Sequence, residues 1–145
     1  MIWLIARRNS KSAERAGNEL LKYAQTRGIA VKPLREDVTP EPTDTLIVLG
    51  GDGTLIRSAR TYGHLGVPMV AINLGRLGYV TSFTAEMACE ALDALVAGTL
   101  IEDRRMRLSV RWGDQHPPFG PRPHHTACAP RSSPHPSPCA PLLHT

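Results

Sequence analysis

Four short apolar runs punctuate the first hundred residues, and stretches of helical spacing lie between them. Ile2–Ala6 is apolar throughout, the signature of a strand covered on both faces. Ser10 or Ser12 then offers a helix cap, and Ala13, Ala16, Leu20, Leu21 and Ala24 recur at helical spacing until Gly28 stops them. Ile29–Val31 reads as a second strand, ended by Pro33, and the stretch 36–44, with Pro40 and Pro42, reads as loop. Thr45–Leu49 is the clearest buried strand. After a glycine cluster, Leu55, Ile56, Ala59 and Tyr62 suit a short helix closed by Gly63. Met69–Ile72 is another buried strand, with Pro68 at its edge. Thr84 is expected to cap a helix whose apolar face is Ala85, Ala88, Cys89, Leu92, Leu95 and Val96, ending at Gly98. Strands and helices that alternate in this way predict an α/β fold with an open, largely parallel sheet over residues 1–100.

The pattern then changes. Met106, Leu108, Val110 and Trp112 alternate with Arg105, Arg107, Ser109 and Arg111, which predicts a strand with one buried face over 101–112, the first strand of a second domain. From Gly113 to Thr145 the chain holds nine of its thirteen prolines and five of its six histidines. That composition cannot bury enough apolar surface to offset the entropy of ordering it, so disorder is expected. His124, His125, His135, Cys128 and Cys139 match no zinc spacing, and no basic PxxP core stands out. The abrupt change, with no linker, reads as translation continued in another frame.

Charge and cysteine content narrow the function classes. With 17 basic and 13 acidic side chains the net charge is +4, and no block of five like charges occurs, which argues against nucleic acid as a partner. No run approaches 18 apolar residues, so no membrane span or membrane partner is expected. The three cysteines form no CxxC pair. A cytoplasmic protein is the expectation.

Chemistry is concentrated where glycines follow strands. Leu49-Gly50-Gly51-Asp52-Gly53-Thr54 lies between a buried strand and a helix, and open α/β sheets bind ligands at the carboxyl ends of their strands. Gly50, Gly51 and Gly53 remove side chains that would keep a phosphate from the backbone, and the first N–H groups of the helix face an anion there. Thr54 adds a hydroxyl and Arg57 a cation. Asp52 is the unusual member, because a phosphate cradle would ordinarily exclude a negative charge. It could accept a proton from an attacking hydroxyl or hold Mg²⁺, both tasks of phosphoryl transfer. The competing reading is an Asp-Gly turn between two strands. A second segment, Asn73-Leu74-Gly75-Arg76-Leu77-Gly78-Tyr79-Val80, follows the next strand. Its paired glycines lack the helical context of an RNA-binding GxxG clamp. Beside Asp52 it would supply the Asn73 amide and the Tyr79 ring for an adenine or nicotinamide; alternatively Tyr79 lies in the core. His64 is given no role.

GGDGT followed by NLGRLGY, and then Asp103-Arg104 before Met106 and Leu108, resembles the NAD kinase family over residues 1 to about 112. GGDGT alone also occurs in diacylglycerol and sphingosine kinases, the alternative family. The resemblance implies a Rossmann-like nucleotide-binding domain and phosphoryl transfer from ATP or polyphosphate, with Mg²⁺, to the adenosine-ribose 2′-hydroxyl of NAD. It implies Asp52 as proton acceptor and Gly53, Arg57, Asn73 and Tyr79 as further NAD contacts. Gly50, Gly51, Gly53 and Thr54 form the implied phosphate site, and no metal-ligand set is assigned. Full-length members are expected to be homo-oligomers. The Asn-Glu or Asn-Asp pair of the family's second domain has no counterpart here, so the chain reads as the N-terminal half of such a kinase followed by unrelated sequence. Weak or absent catalysis by this chain alone is therefore expected, and a non-catalytic nucleotide-binding fragment is the alternative.

Overall fold

A computed structural model describes residues 1–75 and 78–107. Five strands form one sheet: β1 (Ile2–Ala6), β2 (Val31–Pro33), β3 (Thr45–Leu49), β4 (Met69–Asn73) and β5 (Phe83–Thr84). Their order is β2-β1-β3-β4-β5, with every pairing parallel. Three helices accompany them: α1 (Lys11–Thr26), α2 (Asp52–Tyr62) and α3 (Ala88–Val96), with a 3-10 turn at Gly63–Leu65 after α2. The expected open parallel α/β sheet is the observed architecture.

The topology dictates where the helices lie. From β1 the chain steps outward to β2, and from β3 it steps the opposite way to β4. Right-handed crossovers therefore put α1 and α2 on opposite faces. The central strand shows the result residue by residue. Ile47 and Leu49 face a core with Leu20 and Ala24 of α1 and Ala91 and Leu92 of α3. Leu46 and Val48 face a second core with Leu55 and Ala59 of α2, Val67 and Met69. Burial on both faces is why β3 and β4 are apolar without alternation.

Helix ends follow local chemistry. Ser10 is the N-cap of α1 and its side chain accepts from the Ala13 N–H. Gly28 stands at φ 68° and Gly98 at φ 67°. At each the chain turns left-handed, so the next N–H reaches back into the helix: Ile29 to Ala24 O at 2.9 Å, Thr99 to Ala94 O at 3.0 Å.

Four local expectations need correction. The second strand is Val31–Pro33 rather than Ile29–Val31. Leu34 N–H donates to Leu4 O at 2.9 Å, so Pro33 occupies the alternate position, whose missing N–H would face the open edge. The second helix starts at Asp52, three residues before its apolar face begins. Thr84 does not cap the third helix. It ends β5, its carbonyl accepts from Met87 N–H and its hydroxyl bonds the Glu86 carboxylate, which leaves a turn before Ala88. On α3 it is Ala91 that is buried, while Val96 is exposed.

Of the strand expected over 101–112, residues 101–107 are neither strand nor helix. Met106 is exposed, and Arg107 donates to the Ala59 carbonyl of α2. Residues 108–112 and the Pro- and His-rich segment 113–145 lie outside the described residues, as do Arg76 and Leu77.

Candidate functional site

The carboxyl ends of β3 and β4 carry the two glycine segments, one strand away from the point where the sheet order reverses. In open α/β sheets ligands enter at the carboxyl ends of the strands. Asp52 is the first residue of α2 and Gly51 its N-cap. The Asp-Gly hairpin is thereby excluded: the flanking strands are parallel, and Asp52-Gly53 opens a helix. A negative side chain at this position also complements the helix dipole.

The structure joins Asp52 to the second segment through hydrogen bonds. Its Oδ2 accepts from the Tyr79 N–H at 2.8 Å. Its Oδ1 accepts from the Val80 N–H at 3.2 Å and the Thr81 hydroxyl at 3.3 Å. The Tyr79 N–H is the main reason the carboxyl sits below its ordinary pKa, with Val80 and Thr81 adding to it and burial working the other way. Asp52 is therefore ionised throughout the physiological range and a weaker base than a free carboxylate. It also has a structural task that the sequence did not disclose: it anchors the 78–81 loop over the start of α2.

Close approach explains two of the glycines. A Cβ at Gly78 would lie 2.7 Å from Asp52 Cγ and 2.7 Å from Thr81 Oγ1, so no side chain fits under the carboxylate. A Cβ at Gly50 would meet Thr54 Cβ at 2.7 Å, so Thr54 packs on bare backbone. Gly53 differs, since a Cβ there would meet nothing within 4 Å.

Two backbone N–H groups of the expected phosphate cradle are already engaged within the fold. Gly50 N–H donates to Ile72 O at 2.9 Å and Thr54 N–H to Gly51 O at 2.9 Å. Gly50 therefore supplies clearance rather than a donor. By helix geometry the N–H groups of Gly51, Asp52 and Gly53 precede the first helical acceptor and are the ones suited to an anion.

Asn73, the last residue of β4, is 4% exposed. Its Oδ1 accepts from Gly75 N–H at 3.1 Å and its Nδ2 donates to Thr81 Oγ1 at 3.1 Å. Tyr79 is 101% exposed, which excludes a place in the core; its backbone, not its ring, reaches Asp52. Arg57 is exposed on α2. It follows Gly53 by four positions, so the two share a helix face. Thr81 was not singled out in the sequence, because a threonine eight positions after a strand carries no pattern.

Mg²⁺ usually takes one or two carboxylates and keeps several waters or phosphate oxygens. Here the single carboxylate, Asp52, already receives the loop's donors. Among the described residues no group of three His, Cys, Asp or Glu side chains could hold a metal ion. Among them, too, no helix is long and apolar enough to cross a membrane.

Residues 32–100 match the family model of the ATP-NAD kinase N-terminal domain. The chain is 34% identical to the NAD kinase of Solibacter usitatus over 109 residues, covering 66% of this chain and 38% of that one. It is 35% identical to the NAD kinase of Symbiobacterium thermophilum over 121 residues, 74% of this chain and 43% of the relative. Against the NAD kinase of Nitrosomonas europaea identity is 45% over 67 residues, 46% of this chain and 23% of the relative. In these matches the chain spans less than half of the relatives' length. A crystal structure of yeast NADH kinase complexed with NADH shares the fold at a TM-score of 0.60 and 17% identity, over 72% of this chain and 40% of that one. Residues 32–100 thus carry the N-terminal domain of the NAD kinase family.

Proposed function

We propose that this domain serves an NAD kinase: it presents Asp52 to the adenosine-ribose 2′-hydroxyl of NAD for phosphorylation by ATP or polyphosphate, giving NADP. The observation that carries the reading is the bonding of Asp52, at the head of α2, to the loop of Tyr79, which unites both family motifs at one strand end. In this reading Gly53 and Arg57 line the dinucleotide site and Asn73 shapes it. The exposed Tyr79 ring offers a stacking surface for adenine, and the N–H groups of Gly51, Asp52 and Gly53 face phosphate oxygens. Mg²⁺ bound to the donor's phosphates would supply charge neutralisation. A cytoplasmic location and homo-oligomeric full-length relatives go with this reading.

The base strength of Asp52 fits such chemistry in one particular way. Phosphoryl transfer proceeds through a loose transition state, with the hydroxyl proton lost late, so orientation outweighs basicity. A carboxylate held at a fixed rotamer by main-chain donors suits orientation better than early proton removal. Since its pKa lies below the ordinary carboxylate value, the fully ionised acceptor persists into mildly acidic solution. A loss of turnover near neutral pH would then have another origin.

Two measurements test the proposal. Asp52→Asn, made at the matching aspartate of a full-length relative, should lower NADP formation by orders of magnitude while NAD still binds; near-normal turnover would reject the role. For this chain, NMR titration with NAD should shift the amide signals of Asp52–Arg57 and Tyr79. Binding is expected to be weak and NADP formation undetectable, because the chain covers under half of the relatives' length and binding must first offset ordering and desolvation costs.

A further inference from the structure

We infer that Thr81 is a positioning residue for Asp52, acting through a hydroxyl proton whose direction is set by Asn73. The argument follows donors and acceptors one atom at a time. The Gly75 N–H lies 3.1 Å from Asn73 Oδ1, which fixes that atom as the acceptor and turns Nδ2 toward Thr81. Nδ2 can only donate, so Thr81 Oγ1, 3.1 Å away, accepts. The single hydroxyl proton of Thr81 is then free to point elsewhere, and Asp52 Oδ1 stands 3.3 Å off as an acceptor-only group. Both relay residues are buried, Asn73 at 4% and Thr81 at 5% exposure. In such surroundings a polarised chain of hydrogen bonds holds its members more firmly than isolated bonds would. Gly78 completes the arrangement by leaving room beneath the carboxylate.

The relay ties the ends of two different strands. Asn73 closes β4, Thr81 precedes β5, and Asp52 opens the helix after β3. The carboxylate's rotamer is thus referred to the sheet rather than to its own helix alone. For catalysis the inference rests on the reading of Asp52 as the group that meets the sugar hydroxyl, where a small misplacement of the acceptor is costly.

The test uses the full chain of 145 residues, carboxylate-detected NMR titration of Asp52, amide exchange, and NAD as the ligand. Thr81→Val removes the hydroxyl at nearly constant shape, and Thr81→Ser restores it. In Thr81→Val the Asp52 carboxyl should titrate higher, toward its ordinary value. The Tyr79 and Val80 amides should exchange about tenfold faster, the equivalent of one weakened hydrogen bond to a charged group. Thr81→Ser should behave as wild type in both readouts. If Thr81→Val fails to fold, Thr81→Ala against Thr81→Ser makes the same comparison. Equal titration of the hydroxyl-less and wild-type proteins would overturn the inference, as would a serine variant that behaves like valine. If NAD shifts no signal at 52–57 in the wild type, the NAD reading fails while the titration comparison still decides the role of Thr81.

Discussion

At the scale of single residues, the glycines of the site separate into two kinds that a substitution can tell apart. Gly78→Ala forces a methyl to within 2.7 Å of Asp52 Cγ, so the carboxylate must leave its donors or the loop must shift. A cost of about 1–3 kcal/mol in urea unfolding is expected, with faster exchange at Tyr79 and Val80. Gly53→Ala meets no atom within 4 Å and lies in the first turn of α2. There alanine should leave stability unchanged or raise it by up to about 1 kcal/mol, while its methyl intrudes on the space assigned to NAD. A protein that is no less stable yet has lost the NAD-induced shifts is the expected result; unchanged NAD response would remove Gly53 from the site. What the sequence concealed at this scale was the dual service of Asp52. Two of its partners are main-chain N–H groups 27 and 28 positions away, and a backbone donor leaves no mark in the amino-acid alphabet.

Among elements, the packing of α1 against α3 has a polar latch at its rim. The Tyr23 hydroxyl donates to Asp93 Oδ2 at 2.6 Å, and Arg27 reaches Asp93 Oδ1 at 3.3 Å while lying over the Tyr23 ring. The hydrogen bond to Asp93 is the chief reason the phenol sits above its ordinary pKa. Tyr23→Phe should lower the urea midpoint slightly, through loss of that one bond. Ultraviolet titration of the wild type should show a phenol step above the ordinary tyrosine range, a step absent from the variant. The elements themselves were legible wherever burial on two faces wrote an apolar run, as in Thr45–Leu49, or where a cap and a left-handed glycine bracketed a helix, as at Ser10 and Gly28. Two-residue β5 was not, since two positions cannot express a period. Pro33 misled for a physical reason: a missing N–H ends a central strand but is harmless on an open edge.

At the scale of the whole molecule, the sheet carries a buried polar cluster at one end and the candidate site at the other. At the amino ends of β1 and β3, buried Asp44 receives the Met1 ammonium at 2.9 Å, the Trp3 indole N–H at 2.8 Å and the Glu41 N–H at 2.9 Å. Led by the ammonium, these lower its pKa from 3.8 to about 2. A folded-state pKa below the unfolded one stabilises the protein above pH 3.8 and is lost as the pH falls toward 2. The contribution is up to about 2 kcal/mol, from 1.4 kcal/mol per unit. Asp44→Asn should therefore lower stability at pH 6 and change it little near pH 2, as followed by urea midpoints. The NAD-induced shifts at 52–57 should be the same in both proteins at neutral pH. The expectation of a parallel α/β sheet with its ligand site at the strand ends followed from the alternation of patterns alone. The union of the two motifs at one strand end needed the coordinates, because proximity across the β3 and β4 ends is a property of strand order, not of spacing along the chain.

One detail of the loop has an evolutionary consequence. Because residue 79 reaches Asp52 with its main-chain nitrogen and sends its ring outward, the aromatic can be exchanged without unseating the acid. Descendants of this sequence are free to vary the exposed ring at that spot while inheriting an unaltered seat for the carboxylate.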